Sequence, residues 1–256
     1  GADIGFYTIQ NGSQTGLISP AHASGVNGMR ARDPLNMFSF SATGYFKSWN
    51  LTSGVVLTFQ PLAHTAAIPQ VALISTNVAV TVSLDTTAKV WNLATNTSTL
   101  TFSGHTAAVY SVIRLHDGRV ATGAGDNAVK VWSPATGTVS LSLAVGCVAQ
   151  TLAQVTTDTL AVGGSDFNVK LWSLTNGSLL ATLSGHSATV QVVKLYAFDT
   201  LISGAGEGKL IMWNWMNRTM LRGVLAHTGT VLGAEIMISR QIVTLGSSDN
   251  RVKVWS

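Results

Sequence analysis

Short runs of alternating apolar and polar residues recur along the chain. "YFKSW", "AKVW", "AVKVW", "NVKLW", "KLIMW" and "RVKVW" each end on a tryptophan, at positions 49, 91, 132, 172, 213 and 255. A period of two over four or five residues predicts a half-buried β-strand. The tryptophans are separated by 42, 41, 40, 41 and 42 residues, so the strand belongs to a repeating unit. Before each tryptophan strand lies a shorter apolar one, such as "RVATGAG" at 119–125, and before that a third, such as "AAVYSVIRL" at 107–115. After it come a Gly- or Asn-containing turn and a further strand, for example "GSLLATL" at 177–183.

Four short antiparallel strands per repeat predict an all-β chain, a β-propeller of four-stranded blades. The stretch "SGHTAAV…RVATGAGDNAVKVW" (103–132) resembles the WD-repeat family, with its Gly-His opening, its Asp in the turn before the third strand and its closing Trp. His64, Thr81, Asp85 and Trp91 stand at offsets 17, 21 and 27 from the histidine, and His105, Thr122, Asp126 and Trp132 repeat them. His186, Ser203 and Trp213 follow the same spacing, with Glu207 in the Asp place. The resemblance implies that each set forms a buried chain from carboxylate to imidazole to hydroxyl to indole, in which every donor meets an acceptor.

Other repeats depart from this pattern. The residue after each tryptophan is Asn or Ser, never Asp. The repeat ending at Trp172 has Cys147 near the histidine place and Val162 for the hydroxyl, which predicts no network. The repeat ending at Trp49 offers Thr43 in place of Asp. The last keeps His227 and Asp249 but, counted back from Trp255, puts Leu245 at the hydroxyl place, with one extra residue in the spacing.

Tyr7 lies 42 residues before Trp49, and "YTIQNGS" (7–13) parallels "WSLTNGS" (172–178). This predicts a third strand near the amino terminus and a fourth around Leu17–Ser19, with "GAD" as the end of a second strand. Seven third strands against six preceding hairpins favour a seven-bladed parent, with residues 1–256 forming one propeller that lacks the start of its first blade. The alternative is a six-bladed ring in which the Leu17–Ser19 strand pairs with the one ending at Trp255.

Composition narrows the function. Charged residues are 10% of the chain and the net charge is +4, too weak a field to argue for nucleic acid. Lys47, Lys89, Lys130, Lys170 and Lys253 each stand two before a repeat tryptophan, a dispersed pattern expected at solvated strand edges. The single cysteine, Cys147, suits an intracellular, cytoplasmic or nuclear setting, and no apolar run is long enough for a membrane span. Five Asn-x-Ser/Thr sequons, at Asn11, Asn50, Asn96, Asn176 and Asn217, are also what turns require.

Thr122, His105 and Asp126 have the composition of a hydrolase triad, but the set recurs and its hydroxyl is committed to an indole. Five of the six histidines fall one per repeat and His116 stands apart, so metal ligation is not expected. "GAGEGK" (204–209) joins strands and leads into no helix, which excludes a phosphate loop and leaves no expected cofactor. At the rim the positions before the Asp place are Ala42, Leu84, Gly125, Ser165, Gly206 and Ser248, with no Arg cluster and no aromatic anchor. The expectation is a non-enzymatic scaffold or adaptor that binds a protein or peptide on this rim. A secreted or glycan-binding propeller is the alternative, and a hydrolase built on the propeller is the third reading.

Overall fold

Burial along the chain follows a gradient that the sequence composition explains. The second strand of each repeat is rich in small and apolar residues, and in "VATGA" (Val120–Ala124), "TLAVGG" (Thr159–Gly164) and "TLISGA" (Thr200–Ala205) it is buried at every position. The following tryptophan strand alternates, and the last strand, as in Thr219–Leu225, is mostly exposed. A four-stranded blade thus presents an inner strand that is largely buried and an outer strand in water, and the polar residues on the inner strand, such as Thr122 and Ser203, are the hydroxyls that bond the tryptophan indole.

The computed structural model describes residues 2–7, 14–23, 25–33, 35–60, 63–249 and 251–256. The Asn11 sequon and most of "YTIQNGS" lie outside them. The chain divides into two compact units, residues 1–109 with 134–137 and residues 110–133 with 138–256.

In the first unit β1 (Ala2–Tyr7) and β2 (Gln14–His22) pair antiparallel as a two-stranded sheet, with Ile4 opposite Ile18 and Gly5 opposite Leu17. Blade 1 follows as β3 (Val26–Asp33), β4 (Asn36–Ser41), β5 (Phe46–Asn50) and β6 (Val56–Gln60). Blade 2 is β7 (Gln70–Ser75), β8 (Val78–Val82), β9 (Ala88–Asn92) and β10 (Thr97–Phe102). Phe38, Phe40, Phe46, Ile68, Val71, Ala79 and Trp91 form one buried cluster that joins the two blades.

Three further blades have four strands each. Blade 3 is β11 (Val109–Arg114), β12 (Val120–Ala124), β13 (Ala128–Trp132) and β14 (Val139–Ala144). Blade 4 is β15 (Ala149–Gln154), β16 (Thr159–Gly164), β17 (Asn168–Ser173) and β18 (Leu179–Ser184). Blade 5 is β19 (Val190–Ala197), β20 (Thr200–Ala205), β21 (Lys209–Asn214) and β22 (Thr219–Leu225). Blade 6 has three strands, β23 (Val231–Ile236), β24 (Ile242–Gly246) and β25 (Val252–Trp255).

The blade count corrects the sequence expectation. The described residues form six blades, not seven. β1 and β2 do pair, as a third and a fourth strand would, and form a two-stranded sheet.

Neighbouring blades are tied through one backbone turn. Between the second and third strands the chain passes through a left-handed residue, with φ of 79° at Gly44, 76° at Thr86 and 82° at Gly208. This turn aims a carbonyl at the next blade: Gly44 O accepts the His64 N–H at 3.2 Å and Gly208 O that of His227 at 3.0 Å. A side chain at Gly44 or Gly208 would strike the carbonyl of that same histidine, so the close approach requires glycine there.

Candidate functional site

The polar chemistry of the chain is concentrated at the histidine that opens each blade. In blade 2, Trp91 Nε1 donates to Thr81 Oγ1 at 2.8 Å, and Thr81 Oγ1 stands 2.7 Å from His64 Nε2. On the other side of the ring His64 Nδ1 lies 2.9 Å from Asp85 Oδ2. Because the Thr81 hydroxyl accepts from the indole, its own proton goes to Nε2, which leaves the imidazole proton on Nδ1 for Asp85. Blade 5 brings His186, Ser203, Glu207 and Trp213 together likewise: Ser203 Oγ is 2.7 Å from both His186 Nε2 and Trp213 Nε1, and Glu207 Oε1 is 2.5 Å from His186 Nδ1.

Blade 6 carries a further complete set that counting from the tryptophan misses. His227 Nε2 lies 2.8 Å from Thr244 Oγ1, which accepts from Trp255 Nε1 at 2.8 Å, while Asp249 Oδ2 is 2.8 Å from His227 Nδ1. The hydroxyl is Thr244, not Leu245, whose side chain is 44% exposed. Thr244 stands 17 residues after the histidine, as in the other blades, and the extra residue falls in the turn beyond it.

Blades 1 and 4 depart from this arrangement, and in blade 3 the indole again meets its hydroxyl. Blade 1 has His22 Nε2 at 2.7 Å from Ser39 Oγ, which also accepts from Trp49 Nε1 at 2.7 Å. Thr43 occupies its carboxylate place, and the buried His22 Nδ1 has no hydrogen-bond partner. In blade 3, Trp132 Nε1 donates to Thr122 Oγ1 at 3.1 Å and Asp126 Oδ1 accepts the N–H of Ala128, while His105 is buried with Phe102 edge-on to its ring. In blade 4, Val162 replaces the hydroxyl, Trp172 Nε1 is buried without a partner, and Asp166 pairs with Lys170 at 2.6 Å.

Electrostatics follow from this burial. Desolvation pushes the pKa of His64 and His186 down, against the opposing pull of Asp85 and Glu207, and both imidazoles are neutral near pH 7. His22, with no carboxylate, is lowered to about 4, by burial first and then by the charge of Lys47. Burial alone would raise the Asp85 carboxyl, but hydrogen bonds from Thr87 and the contact with His64 hold it at about 2. The Cys147 thiol is pushed up to about 11 by burial and then by the nearby Asp166.

The repeat lysines have a structural role that their spacing does not reveal. Rather than simply lying at solvated edges, Lys89 Nζ donates to Ala63 O at 2.8 Å, Lys170 Nζ to Val145 O at 2.8 Å, and Lys253 Nζ to Ala226 O. Each closes the backbone just where the chain enters the blade, and Lys47 Nζ sits over the Trp49 ring, 5.4 Å from its centroid.

A hydroxyl–imidazole–carboxylate line such as Thr81–His64–Asp85 has the connectivity of a hydrolase triad, yet Thr81 and His64 are both 0% exposed. A nucleophile that a substrate cannot reach holds a fold together rather than cleaving a bond. Among the described residues no three His, Cys, Asp or Glu side chains gather as metal ligands, and no helix is long and apolar enough to cross a membrane. A cavity of about 300 Å³ lies between blades 5 and 6, lined by Tyr196, Met212, Arg222, Arg240 and Trp255 among others.

On the loops beside the networks, one side chain stands apart. Phe167 follows Asp166 in blade 4, at the left-handed turn position held by Gly44, Thr86, Asn127 and Gly208 elsewhere. It has φ of 68° and is 43% exposed. A bulky aromatic in this backbone region is strained, by about 1–3 kcal/mol, and here it stays partly in solvent. The signal in the sequence is the "SDFN" turn, where other repeats place Gly, Asn or Thr.

Comparison with known proteins agrees with this geometry. Residues 96–133 match the family model described as WD domain, G-beta repeat, a span that runs from the last strand of blade 2 through Trp132. Among solved structures the chain is similar to the crystal structure of the computationally designed Ika8 protein. The likeness has 24% identity and a TM-score of 0.78, and covers 97% of this chain and 76% of that chain. No curated protein matches.

Proposed function

We propose that this chain, whose residues 96–133 match a WD repeat and whose sheets are propeller blades, works as a non-enzymatic WD-repeat scaffold that docks a protein or peptide on the loops around Phe167. The observation that carries this reading is Phe167 itself: an aromatic residue 43% exposed on a strained turn, beside polar groups committed to the fold. Exposed aromatics on rigid platforms are frequent anchors of protein interfaces, because they bury much area while ordering few torsions. The surrounding positions favour an apolar contact over an ionic one. Ser165 closes its own turn through its backbone N–H to Val148 O at 3.2 Å, and Asp166 is paired with Lys170.

The test is affinity capture from the source organism with the wild-type chain and with Phe167→Asn as parallel baits. Asn tolerates the left-handed turn, so the variant should melt no lower than wild type while losing the captured partner by tenfold or more. Equal capture by both baits would remove Phe167 from the interface. Turnover of ester, peptide or phosphate substrates, lost in Thr81→Val, would overturn the non-enzymatic reading.

A further inference from the structure

Among the described residues, His22 is the buried imidazole whose Nδ1 has no hydrogen-bond partner, and its defect has a definite shape. Ser39 Oγ accepts from Trp49 and so gives its proton to His22 Nε2, which leaves a proton on Nδ1 facing no acceptor. In blades 2, 5 and 6 that proton goes to a carboxylate, from Asp85, Glu207 or Asp249.

The turn that presents those carboxylates is intact in blade 1. Ala42 N bonds Gly25 O at 3.1 Å, as Leu84 N bonds Ala67 O at 3.0 Å and Gly206 N bonds Thr189 O at 3.0 Å. Gly44 N bonds Ser41 O at 3.3 Å, as Thr86 N bonds Ser83 O at 3.3 Å and Gly208 N bonds Ala205 O at 3.1 Å. Thr43 N bonds Ser41 Oγ at 3.3 Å, as Asp85 N bonds Ser83 Oγ at 3.1 Å. Thr43 therefore stands on the backbone position from which the other blades send an anion to the histidine. It carries a hydroxyl there and is exposed.

We propose that Thr43 is a phosphorylation site whose phosphate takes the place of the carboxylate and closes the hydrogen-bond network of blade 1. The reach is already demonstrated in blade 5. Glu207 meets His186 Nδ1 through Cβ, Cγ, Cδ and Oε1, and phosphothreonine offers the same number of bonds through Cβ, Oγ1, P and O. The modification is an ordinary phosphoryl transfer from a nucleoside triphosphate by a serine/threonine kinase. Thr43 Oγ1 bonds the γ-phosphorus, the bond to the β,γ-bridging oxygen breaks, the nucleoside diphosphate leaves, and the hydroxyl proton passes to the kinase's base. The phosphate then accepts from His22 Nδ1, with the positive charge of Lys47 near enough to act on that imidazole. The reading is independent of what the loops of blade 4 bind.

The experiment uses the full chain with phosphothreonine installed at position 43, compared with the unmodified chain and with Thr43→Glu. His22 is followed by its imidazole ¹⁵N shifts across pH, and stability by thermal melting. In the phosphorylated chain and in Thr43→Glu, the His22 titration should move up by a unit or more, and Tm should rise by about 2–4 °C. An unmoved His22 titration, or an unchanged or lower Tm in the phosphorylated chain, overturns the proposal. Incubation of the unmodified chain with MgATP and kinases of basic, acidic and proline-directed preference should place phosphate on Thr43. Labelling confined to other hydroxyls would overturn the site.

Discussion

Trp213 Nε1 and Ser203 Oγ meet across 2.7 Å, with the serine ten residues earlier on the neighbouring strand. Trp49 with Ser39, Trp91 with Thr81 and Trp132 with Thr122 repeat the relation. Trp172 breaks it, because the residue ten positions earlier is Val162, buried and unable to accept. A buried indole N–H without an acceptor is a standing penalty of about 1–3 kcal/mol.

Val162→Thr should relieve that penalty. Threonine matches valine in shape, and its hydroxyl falls where Thr81 and Thr122 already serve an indole. The expected result is a gain of about 0.5–1.5 kcal/mol in urea denaturation, with quenching or a shift of the Trp172 fluorescence. A loss of stability would mean that the blade 4 indole is not oriented as in its neighbours.

Asp85→Ala should be among the most damaging single changes in blade 2. It strips an acceptor from His64 Nδ1, the Thr65 N–H and Thr87 at once, at about 2–4 kcal/mol. Asp117→Ala removes a carboxylate that pairs with Arg119 on the surface and should lose no more than about 1 kcal/mol. Similar denaturation midpoints for the two variants would contradict a stabilising role for the network.

Acidification should weaken the fold in two steps. His22, His64 and His186 have folded pKa values below 6.5, so above that pH both states are neutral and stability is full. As pH falls toward 4 the unfolded chain takes up protons that the buried imidazoles refuse, and stability drops. His22 alone should contribute roughly 1–2 kcal/mol after solvent screening. Asp85, depressed to about 2, loses its contribution only as pH falls from about 4 to 2. Urea midpoints that stay level from pH 7.5 to 4.5 would contradict the first step.

The strands and most network members are legible in the sequence, because the tryptophan period fixes the third strand and the histidine fixes everything up to the hydroxyl. Thr244 shows which ruler to use. Counted back from Trp255 the hydroxyl place falls on Leu245, whereas counted 17 forward from His227 it falls on Thr244, as the structure has it. The insertion sits in the turn after that strand, so strand pairing preserves the register before it and not beyond. The same forward count from His22 reaches Ser39. Less was legible where long side chains choose among backbone acceptors, as Lys89, Lys170 and Lys253 do. Blade number is not legible, because a strand pair at the amino terminus reads as part of a blade whether or not a second hairpin accompanies it.

Cys147 should be chemically silent in the native chain and should report on blade 4 when it opens. The nucleophile is the thiolate, and with a pKa of about 11 roughly one thiol in a thousand is ionised at pH 8. The residue is also only 4% exposed, against Gly164 and Asp166 of the neighbouring turn. Reaction with a disulfide reagent at pH 8 should therefore be at least about a hundredfold slower than in urea-unfolded protein, since it waits for an opening event. Blade 4 lacks the histidine network and holds an unsatisfied indole, so that opening should be local, with a rate nearly independent of urea below the unfolding transition. Val162→Thr, which gives Trp172 its acceptor, should slow the reaction further. A rate that rises steeply with urea and ignores Val162→Thr would assign the opening to the whole fold instead of to blade 4.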